Sequence, residues 1–214
     1  MTRMIFIRHG ESTGNLTRHF YGQTDGALTD KGRAQAAMTA EHLKDVHIDA
    51  AYASDLCRAY ETGKIISEPH GLSPIPSKEL REIFAGEWEN MGFEEIYEKY
   101  PETFGIWMHD IVNSTPDGGE PVRHLAERIK REVWRIAEEN DGKTVLVAIH
   151  ATPIRALQCE WEGLPLEGMN SIHWVPNASV SIVNYNIKTH TVRPEIIGDA
   201  SFMGDLMTTL PKSV

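Results

Sequence analysis

The chain has 214 residues, 41% of them hydrophobic and 24% charged, which is the balance of a folded globular protein and excludes fibrous and disordered classes. Its 31 acidic and 21 basic side chains give a net charge of −10, which excludes broad nucleic-acid binding because that function needs a basic face. No apolar run approaches the roughly 18 residues of a membrane span, and no signal-peptide core fits before Arg8. We therefore expect a cytoplasmic protein with free thiols at Cys57 and Cys159 that binds neither nucleic acid nor membrane.

The predicted elements alternate between strands and helices. Met4–Ile7 is a short buried strand, and Thr29 is suited to cap a helix that runs to about Val46. The later predictions are a strand at Ala50–Ala53, a helix from Cys57 to about Ser67, a weaker edge strand at Pro74–Leu80, a short helix at Gly92–Tyr100, a long helix from Val122 to near Asn140, a buried strand at Thr144–Ile149, a helix with Pro153 in its first turn, and late strands at Ser179–Tyr185 and Thr191–Ile197. This alternation predicts an α/β fold with a mostly parallel sheet.

Side chains suited to chemistry follow the predicted strands. Arg8 and His9 follow the first strand, Arg58 comes after the second, Glu82 lies past the third, and His150 follows the buried strand near the end of the chain. Ligands of open α/β sheets bind outside the carboxyl ends of the strands, so we expect these residues to meet at one rim.

This residue set suits phosphoryl transfer without a metal. Arginine offers a planar fork of donors to phosphate oxygens, a neutral imidazole can attack phosphorus, and a carboxylic acid can protonate the leaving oxygen. Taken singly, each residue has an ordinary structural interpretation: a packing histidine, a solvated arginine or a surface carboxylate. Their convergence at one rim is what favours the chemical interpretation.

Several blocks between residue 5 and about 183 carry a resemblance to a known family. They are Ile7-Arg8-His9-Gly10-Glu11-Ser12 with Asn15, Gly22-Gln23-Thr24-Asp25 followed by Leu28-Thr29 and Gly32 to Gln35-Ala36, Ser54-Asp55-Leu56-Cys57-Arg58-Ala59 with Thr62, Leu80-Arg81-Glu82 with Gly86, Trp88 and Glu89, Pro116-Asp117-Gly118-Gly119-Glu120, and Ala148-Ile149-His150 with Arg155. In their order and spacing the blocks resemble the histidine phosphatase superfamily, also called the phosphoglycerate mutase-like family, and the chain looks like a member of its phosphatase branch.

The resemblance implies a fold and a set of roles. The fold would be one domain, residues 1–214, built as a three-layer sandwich with helices on both faces of the sheet and a helical lid inserted at about 83–120. Hydrolysis would need no metal or organic cofactor. The implied site comprises His9 as the phosphorylated nucleophile, Glu82 as general acid and base, Arg8, Arg58 and His150 as the phosphate pocket, and Asn15, Tyr21, Gly22 and Ala151 as substrate contacts.

One departure from the family pattern and three exclusions bear on this interpretation. Gly14 stands where the family usually has a bulky aromatic residue, and we expect it to loosen the loop after His9. A cysteine phosphatase needs an arginine six positions after its cysteine, but Gly63 and Pro165 occupy those positions. There is no phosphate-binding G-x-x-x-x-G-K-[ST] loop and no H-E-x-x-H pair for zinc.

The segment at 83–120 favours a hydrolase over a mutase. It contains nine carboxylates and one basic side chain, Lys99, whereas a glycerate mutase must hold a second anionic group. Its aromatic residues suit a monophosphate with an apolar or neutral body, although packing within the lid itself is the more common reason for such residues. We therefore expect a phosphomonoesterase acting on a small phosphorylated metabolite.

Two alternatives remain open at this stage. One is a cofactor-dependent phosphoglycerate mutase, and the other is a non-catalytic module that binds a phosphorylated ligand. Intact His9, Glu82 and His150 count against the second. The expected partner is a small phosphorylated substrate, and we leave a homodimer open as the assembly.

Overall fold

Eight strands are found in the computed structural model, which describes residues 1–208. They are β1 (Thr2–Arg8), β2 (His19–Phe20), β3 (Ala50–Ser54), β4 (Ile75–Ser77), β5 (Met91–Gly92), β6 (Thr144–Ile149), β7 (Val180–Asn186) and β8 (Thr191–Asp199). Six of them form the central sheet in the order β4-β3-β6-β1-β7-β8, while β2 pairs with β5. The ladders that join β4, β3, β6 and β1 are parallel, and β7 runs antiparallel to both of its neighbours.

Seven α-helices accompany the strands in the described part of the chain. They are α1 (Thr13–Thr17), α2 (Asp30–Leu43), α3 (Cys57–Ser67), α4 (Phe93–Lys99), α5 (Pro101–His109), α6 (Val122–Glu139) and α7 (Ala151–Trp161). One hydrophobic cluster joins α6 and α7 to one face of the sheet through residues such as Phe6, Val147 and Ile129. A second joins α2 and α3 to the opposite face through residues such as Ile7 and Leu43. The predicted three-layer α/β sandwich with a mostly parallel sheet is therefore confirmed.

Most predicted elements are present with small shifts at their ends. Thr29 caps α2 by accepting from the Gly32 N–H at 3.0 Å, as predicted. The helix ends at Leu43 rather than near Val46, because the following N–H groups bond three residues back instead of four. The weak strand at Pro74–Leu80 shrinks to the edge strand β4, and Lys78–Leu80 forms a 3₁₀ turn. The short helices α1 and α5 were not predicted.

The 83–120 segment packs into a hydrophobic cluster that it shares with α6, α7 and residues near 169–172. Trp88 lies at its centre, with ring centroids 5.5 Å from Phe104 and 5.7 Å from Trp107 in edge-to-face arrangements. The i, i+3, i+4, i+7 spacing of Phe93, Ile96, Tyr97 and Tyr100 predicts one apolar face on α4, but that face is only partly buried: Ile96 is fully buried, whereas Tyr97 is 63% exposed. The prediction for Tyr97 is wrong because its side of α4 borders an open cavity. No helix in residues 1–208 is long and apolar enough to cross a membrane.

The loop after β1 rests directly on the first turn of α2. A Cβ added at Gly32 would lie 2.0 Å from the Glu11 carbonyl oxygen, and one added at Gly10 would lie 2.4 Å from the Gly32 carbonyl oxygen. The Glu11 N–H also donates to Gln35 Oε1 at 2.8 Å. This backbone-to-backbone approach fixes the position of the loop after His9 relative to the first turn of α2.

We predict that Gly32→Ala destabilises the fold although it improves helix propensity. The added methyl group would press on Glu11 backbone, and overpacking of this kind costs about 1–3 kcal/mol. Gly105→Ala in α5 is the matched control, because no atom lies within 4 Å of its added Cβ; there the change should stabilise by up to about 1 kcal/mol. Urea unfolding measures both. Equal stability of the two variants would contradict the close approach.

Candidate active site

A cavity of about 820 Å³ lies at the carboxyl ends of the parallel strands. Its lining includes most of the site residues expected from the sequence, namely Arg8, His9, Asn15, Tyr21, Gly22, Arg58, Glu82 and Ala151. His150 is fully buried and does not line the cavity, but its ring centroid lies 5.1 Å from that of His9. The expected residues are thus brought together, with His150 beneath the surface of the cavity.

The orientation of the His9 ring follows from one hydrogen bond. His9 Nδ1 lies 2.8 Å from the Gly10 carbonyl oxygen. A carbonyl oxygen only accepts, so we assign the hydrogen to Nδ1, which leaves the lone pair on Nε2. The His9 backbone is held as well, since its N–H donates to Ile149 O at 2.9 Å and its carbonyl accepts from Asn177 Nδ2 at 2.9 Å.

The charge state of His9 is set by burial and by two cations. Desolvation lowers the pKa of His9 well below its usual range, and the positive charges of Arg58 and Arg8 lower it further. The ring is therefore neutral at neutral pH. A buried, neutral imidazole with an available Nε2 has the properties of a nucleophile.

His150 is held by Ser54, the last residue of β3. Its Nε2 lies 2.8 Å from Ser54 Oγ, which also accepts from the Leu56 N–H at 3.3 Å. Within residues 1–208, the only acceptor bonded to the Ser54 hydroxyl is Nε2, so we assign the proton of His150 to Nδ1. That Nδ1 is buried and has no partner in the described chain. Desolvation and the charge of Arg58 lower the pKa of His150 well below its usual range.

Arg8 presents a partly engaged guanidinium to the cavity. Its Nη1 donates to Val175 O at 2.6 Å, while its buried Nε has no partner among the described residues. Burial lowers the pKa of Arg8 to about 10, against the opposing charge of Glu82, so the group is still cationic at neutral pH.

Arg58, in the first turn of α3, is held by backbone carbonyl groups. Its Nη2 donates to Gly22 O at 2.7 Å and its Nη1 to Thr24 O at 3.0 Å. Burial lowers its pKa, and the charges of Glu82 and Asp25 oppose that shift. These bonds fix the plane of the guanidinium and leave its other N–H donors for a ligand.

Glu82 is a buried carboxyl group supported from two sides. Its Oε1 accepts from the Ile83 N–H at 2.8 Å and its Oε2 from the Thr152 N–H at 3.2 Å. Desolvation outweighs these bonds and raises its pKa. Its backbone is fixed by Arg128, which donates to Glu82 O at 2.8 Å and pairs with Glu120 at 2.7 Å.

Asn15, which the sequence resemblance predicts to contact substrate, stabilises the local fold through its side chain. Its Oδ1 accepts from the Ser12 N–H at 3.1 Å and from Asn177 Nδ2 at 3.3 Å. Ser12 in turn caps α1, which forms a reciprocal capping box. Asn15 therefore ties the loop after His9 to the loop before β7.

The structure gives a reason for Gly14 that differs from the expected loosening. A Cβ at Gly14 would lie 2.7 Å from the Tyr21 ring, so the glycine makes room for that ring. The Tyr21 hydroxyl lies 3.2 Å from Thr13 Oγ1. The loop is packed rather than freed at this position, and the tyrosine is held against the cavity wall.

Four residues at or beside the site were given no role from the sequence: Ser54, Arg128, Asn177, and Glu89, which accepts from the Gln23 N–H at 2.7 Å. Asn177 belongs to no recognisable motif, and Arg128 has the ordinary spacing of a solvated helix residue. Their contacts join segments far apart in sequence, which no local pattern reports. No group of three or more His, Cys, Asp or Glu residues within the described 208 residues could hold a metal ion.

Comparison with known proteins agrees with this geometry. The model of the histidine phosphatase superfamily (branch 1) matches residues 4–194. Phosphoserine phosphatase 1 of Hydrogenobacter thermophilus is 32% identical over 192 residues, which covers 90% of each chain. A probable phosphoglycerate mutase, GpmB of Klebsiella pneumoniae, is 32% identical over 189 residues and 86% of each chain.

Solved structures extend the likeness to three dimensions. The structure of YhfR from Bacillus stearothermophilus superposes with a TM-score of 0.90 at 28% identity and covers 95% of this chain and 100% of that one. The match of the family model over nearly the whole described chain, together with this fold, leads to one conclusion: the chain belongs to the histidine phosphatase superfamily.

Proposed function

We propose that this chain is a phosphomonoesterase that hydrolyses a small phosphorylated metabolite through a phosphohistidine on His9. Family membership and the relative named as a phosphatase support a phosphoric monoester hydrolase. The observation that carries the mechanism is the neutral His9 ring, with Nε2 available, in one cavity with two arginines and the buried acid Glu82.

In the first step, His9 Nε2 attacks phosphorus and the ester P–O bond breaks. The leaving oxygen takes the proton of Glu82, whose raised pKa favours its protonated form beyond the usual acidic range. The Nδ1–H of His9 stays bonded to Gly10 O, which stabilises the positive charge that develops on the ring.

In the second step, water attacks the phosphohistidine. The Glu82 carboxylate takes a proton from that water, the N–P bond to His9 breaks, and free phosphate leaves. Glu82 is thereby returned to its acid form and His9 to its neutral form, so the cycle closes without a metal or organic cofactor.

The phosphate pocket is formed by Arg8, Arg58 and His150. Arg8 Nε and His150 Nδ1 are buried donors with no partner in residues 1–208, and buried polar groups without partners are rare. Phosphoryl oxygens would satisfy both atoms. On binding, the phosphate would lose hydrogen bonds to water and gain hydrogen bonds to protein donors that are already fixed and desolvated.

The rest of the cavity suits the body of the substrate. Asn15, Tyr21, Gly22 and Ala151 would contact the ester next to the phosphate. Beyond them the wall is formed by aromatic and aliphatic side chains, including Phe20, Phe93, Tyr97, Trp107, Met108 and Trp174. We propose that the 83–120 segment is a helical lid over an apolar or neutral substrate body, within a single domain.

We predict that His9 carries the phosphate during turnover. Brief incubation with labelled substrate, followed by denaturation without acid, should leave acid-labile, base-stable phosphate on the chain. His9→Ala should abolish both label and turnover, whereas His47→Ala, at an exposed ring paired with Asp49, should retain both. Label that persists in His9→Ala would disprove the assignment.

We predict that Glu82→Gln slows hydrolysis according to the leaving group. An alkyl ester needs a proton on its leaving oxygen, so the loss in kcat/KM should be roughly 10²–10⁴, and it should be smaller for an aryl ester. Burial raises the pKa of Glu82, so wild-type activity on alkyl esters should persist above the usual carboxyl range and fall as pH rises through that raised value. Glu82→Gln should lack this alkaline limb.

The control for this prediction is Glu79→Gln, at an exposed carboxylate that pairs with Arg131 and does not line the cavity. It should behave as wild type with both esters. An equal loss for alkyl and aryl esters in Glu82→Gln would instead indicate a purely structural role for Glu82.

We predict hydrolysis with negligible mutase activity. Lys99, the one basic side chain of the 83–120 segment, is paired with Glu95 at 2.7 Å, while Glu94 and Glu98 line the cavity beside Arg18. One arginine against two carboxylates holds a second anionic group poorly. The measurement compares phosphate release from an aryl phosphate with conversion of 3-phosphoglycerate to 2-phosphoglycerate in the presence of bisphosphoglycerate. Fast isomerisation with little phosphate release would establish the mutase alternative instead.

A further inference from the structure

Glu89 forms a hub of hydrogen bonds beside the candidate active site. Its Oε1 accepts from the Gln23 N–H at 2.7 Å and from the Ala85 N–H at 2.9 Å. Its Oε2 accepts from the Thr24 N–H at 2.5 Å and from the Thr24 hydroxyl. One carboxylate thus joins the start of the 83–120 segment to the loop at residues 21–24, more than 60 positions earlier in the chain.

The loop at residues 21–24 is closely fitted to this carboxylate. Gly22 has a φ of 51°, and a Cβ added there would lie 2.2 Å from Glu89 Oε1. The Thr24 N–H also donates to Tyr21 O at 2.7 Å, which closes the loop into a turn. A glycine is required at this position both by the left-handed backbone and by the approach of Glu89.

The same loop holds the guanidinium of Arg58. The carbonyl oxygens that accept from Arg58 belong to Gly22 and Thr24, the residues on either side of the N–H of Gln23 that Glu89 binds. The Gly22–Gln23 peptide group is therefore oriented by Glu89 at its N–H and by Arg58 at its carbonyl oxygen. Thr24 is held by both side chains as well, since its N–H donates to Glu89 and its carbonyl oxygen accepts from Arg58. The negative charge of Glu89 also opposes the loss of charge that burial imposes on Arg58.

We propose that Glu89 is a positioning residue, which fixes the loop at residues 21–24 and through it orients Arg58 for the phosphate. The proposal rests on the proposed function, in which Arg58 binds the phosphoryl group. Glu89 itself touches neither His9 nor Glu82 through any hydrogen bond in the described chain.

The site requires a carboxylate rather than any polar group. All four hydrogen bonds to Glu89 come from donors, three backbone N–H groups and one hydroxyl. Each carboxylate oxygen accepts from two of these donors. An amide in its place would turn its NH₂ group toward one of the two pairs, and at least one backbone N–H would lose its acceptor. Glu89→Gln is therefore a small change in size that removes the acceptor from one side of the hub.

The test is a double-mutant cycle with Arg58→Lys, which keeps the charge but loses the planar fork. Glu89→Gln alone should lower kcat/KM for an aryl phosphate by about 10- to 100-fold, the cost of a misplaced binding group. In the Arg58→Lys background the same change should cost less than about 3-fold, because the fork that Glu89 orients is already gone. Equal costs in both backgrounds, or no cost in either, would overturn the proposal.

Glu132→Gln is the matched control. Glu132 is a buried carboxylate that, like Glu89, accepts several bonds, from Ser77 at 2.6 Å and from Arg135 at 2.8 Å, but neither of these partners belongs to the loop at residues 21–24. Its loss should lower the temperature of unfolding and leave kcat/KM unchanged. A loss of activity in Glu132→Gln equal to that in Glu89→Gln would show that the effect is general destabilisation.

Two further measurements test the coupling between Glu89 and Arg58. Thr24→Val, which removes only the hydroxyl donor, should lower kcat/KM in the same direction and should add little once Glu89→Gln is present. Calorimetric binding of inorganic phosphate to the wild type, both single variants and the double variant reports the same coupling without turnover. If phosphate binds with the expected non-additivity but no ester is hydrolysed, the proposed function fails and the positioning role stands.

Discussion

The parallel pairing of β1 with β6 is the constraint on which the site depends. Its register sets Arg8 opposite Ile149, so the residues that follow, His9 and His150, leave adjacent strands at the same height. The His9 N–H continues the ladder by donating to Ile149 O at 2.9 Å. A slip of one residue would turn the side chains at these strand ends to opposite faces. The pairing of two strongly hydrophobic strands therefore fixes the position of His9 relative to His150.

Burial shifts the pKa values of the titratable side chains around this pair, and it does so at an energetic cost. Arg8, Arg58, His9 and His150 are all withdrawn from water, and desolvation is the largest cause of the lowered pKa of each. The same desolvation raises the pKa of Glu82, so that the pKa values of the proposed acid Glu82 and the proposed nucleophile His9 are shifted in opposite directions. Such divergence between neighbouring groups is characteristic of acid–base sites.

The supporting hydrogen bonds come mostly from the main chain. Carbonyl groups of Gly10, Gly22, Thr24 and Val175 hold His9, Arg58 and Arg8, and main-chain N–H groups hold the carboxylates of Glu82 and Glu89. Because main-chain groups are placed by the fold, loop conformation determines the orientation of each of these side chains. This is why close approaches of glycine, at Gly10, Gly22 and Gly32, surround the site.

The sequence by itself determined the alternation of strands and helices, the cap at Thr29, and the nine candidate site residues, because buried strands, caps and motif blocks are local patterns. It did not reveal α5, the exposure of Tyr97, or the bonds of Ser54, Asn177 and Glu89. Those were decided by tertiary structure, since each depends on segments far apart in the chain. Local spacing indicates which residues are of a type that can take part in chemistry. Only tertiary packing decides which atom of each side chain is hydrogen-bonded within the protein and which is left available to a ligand.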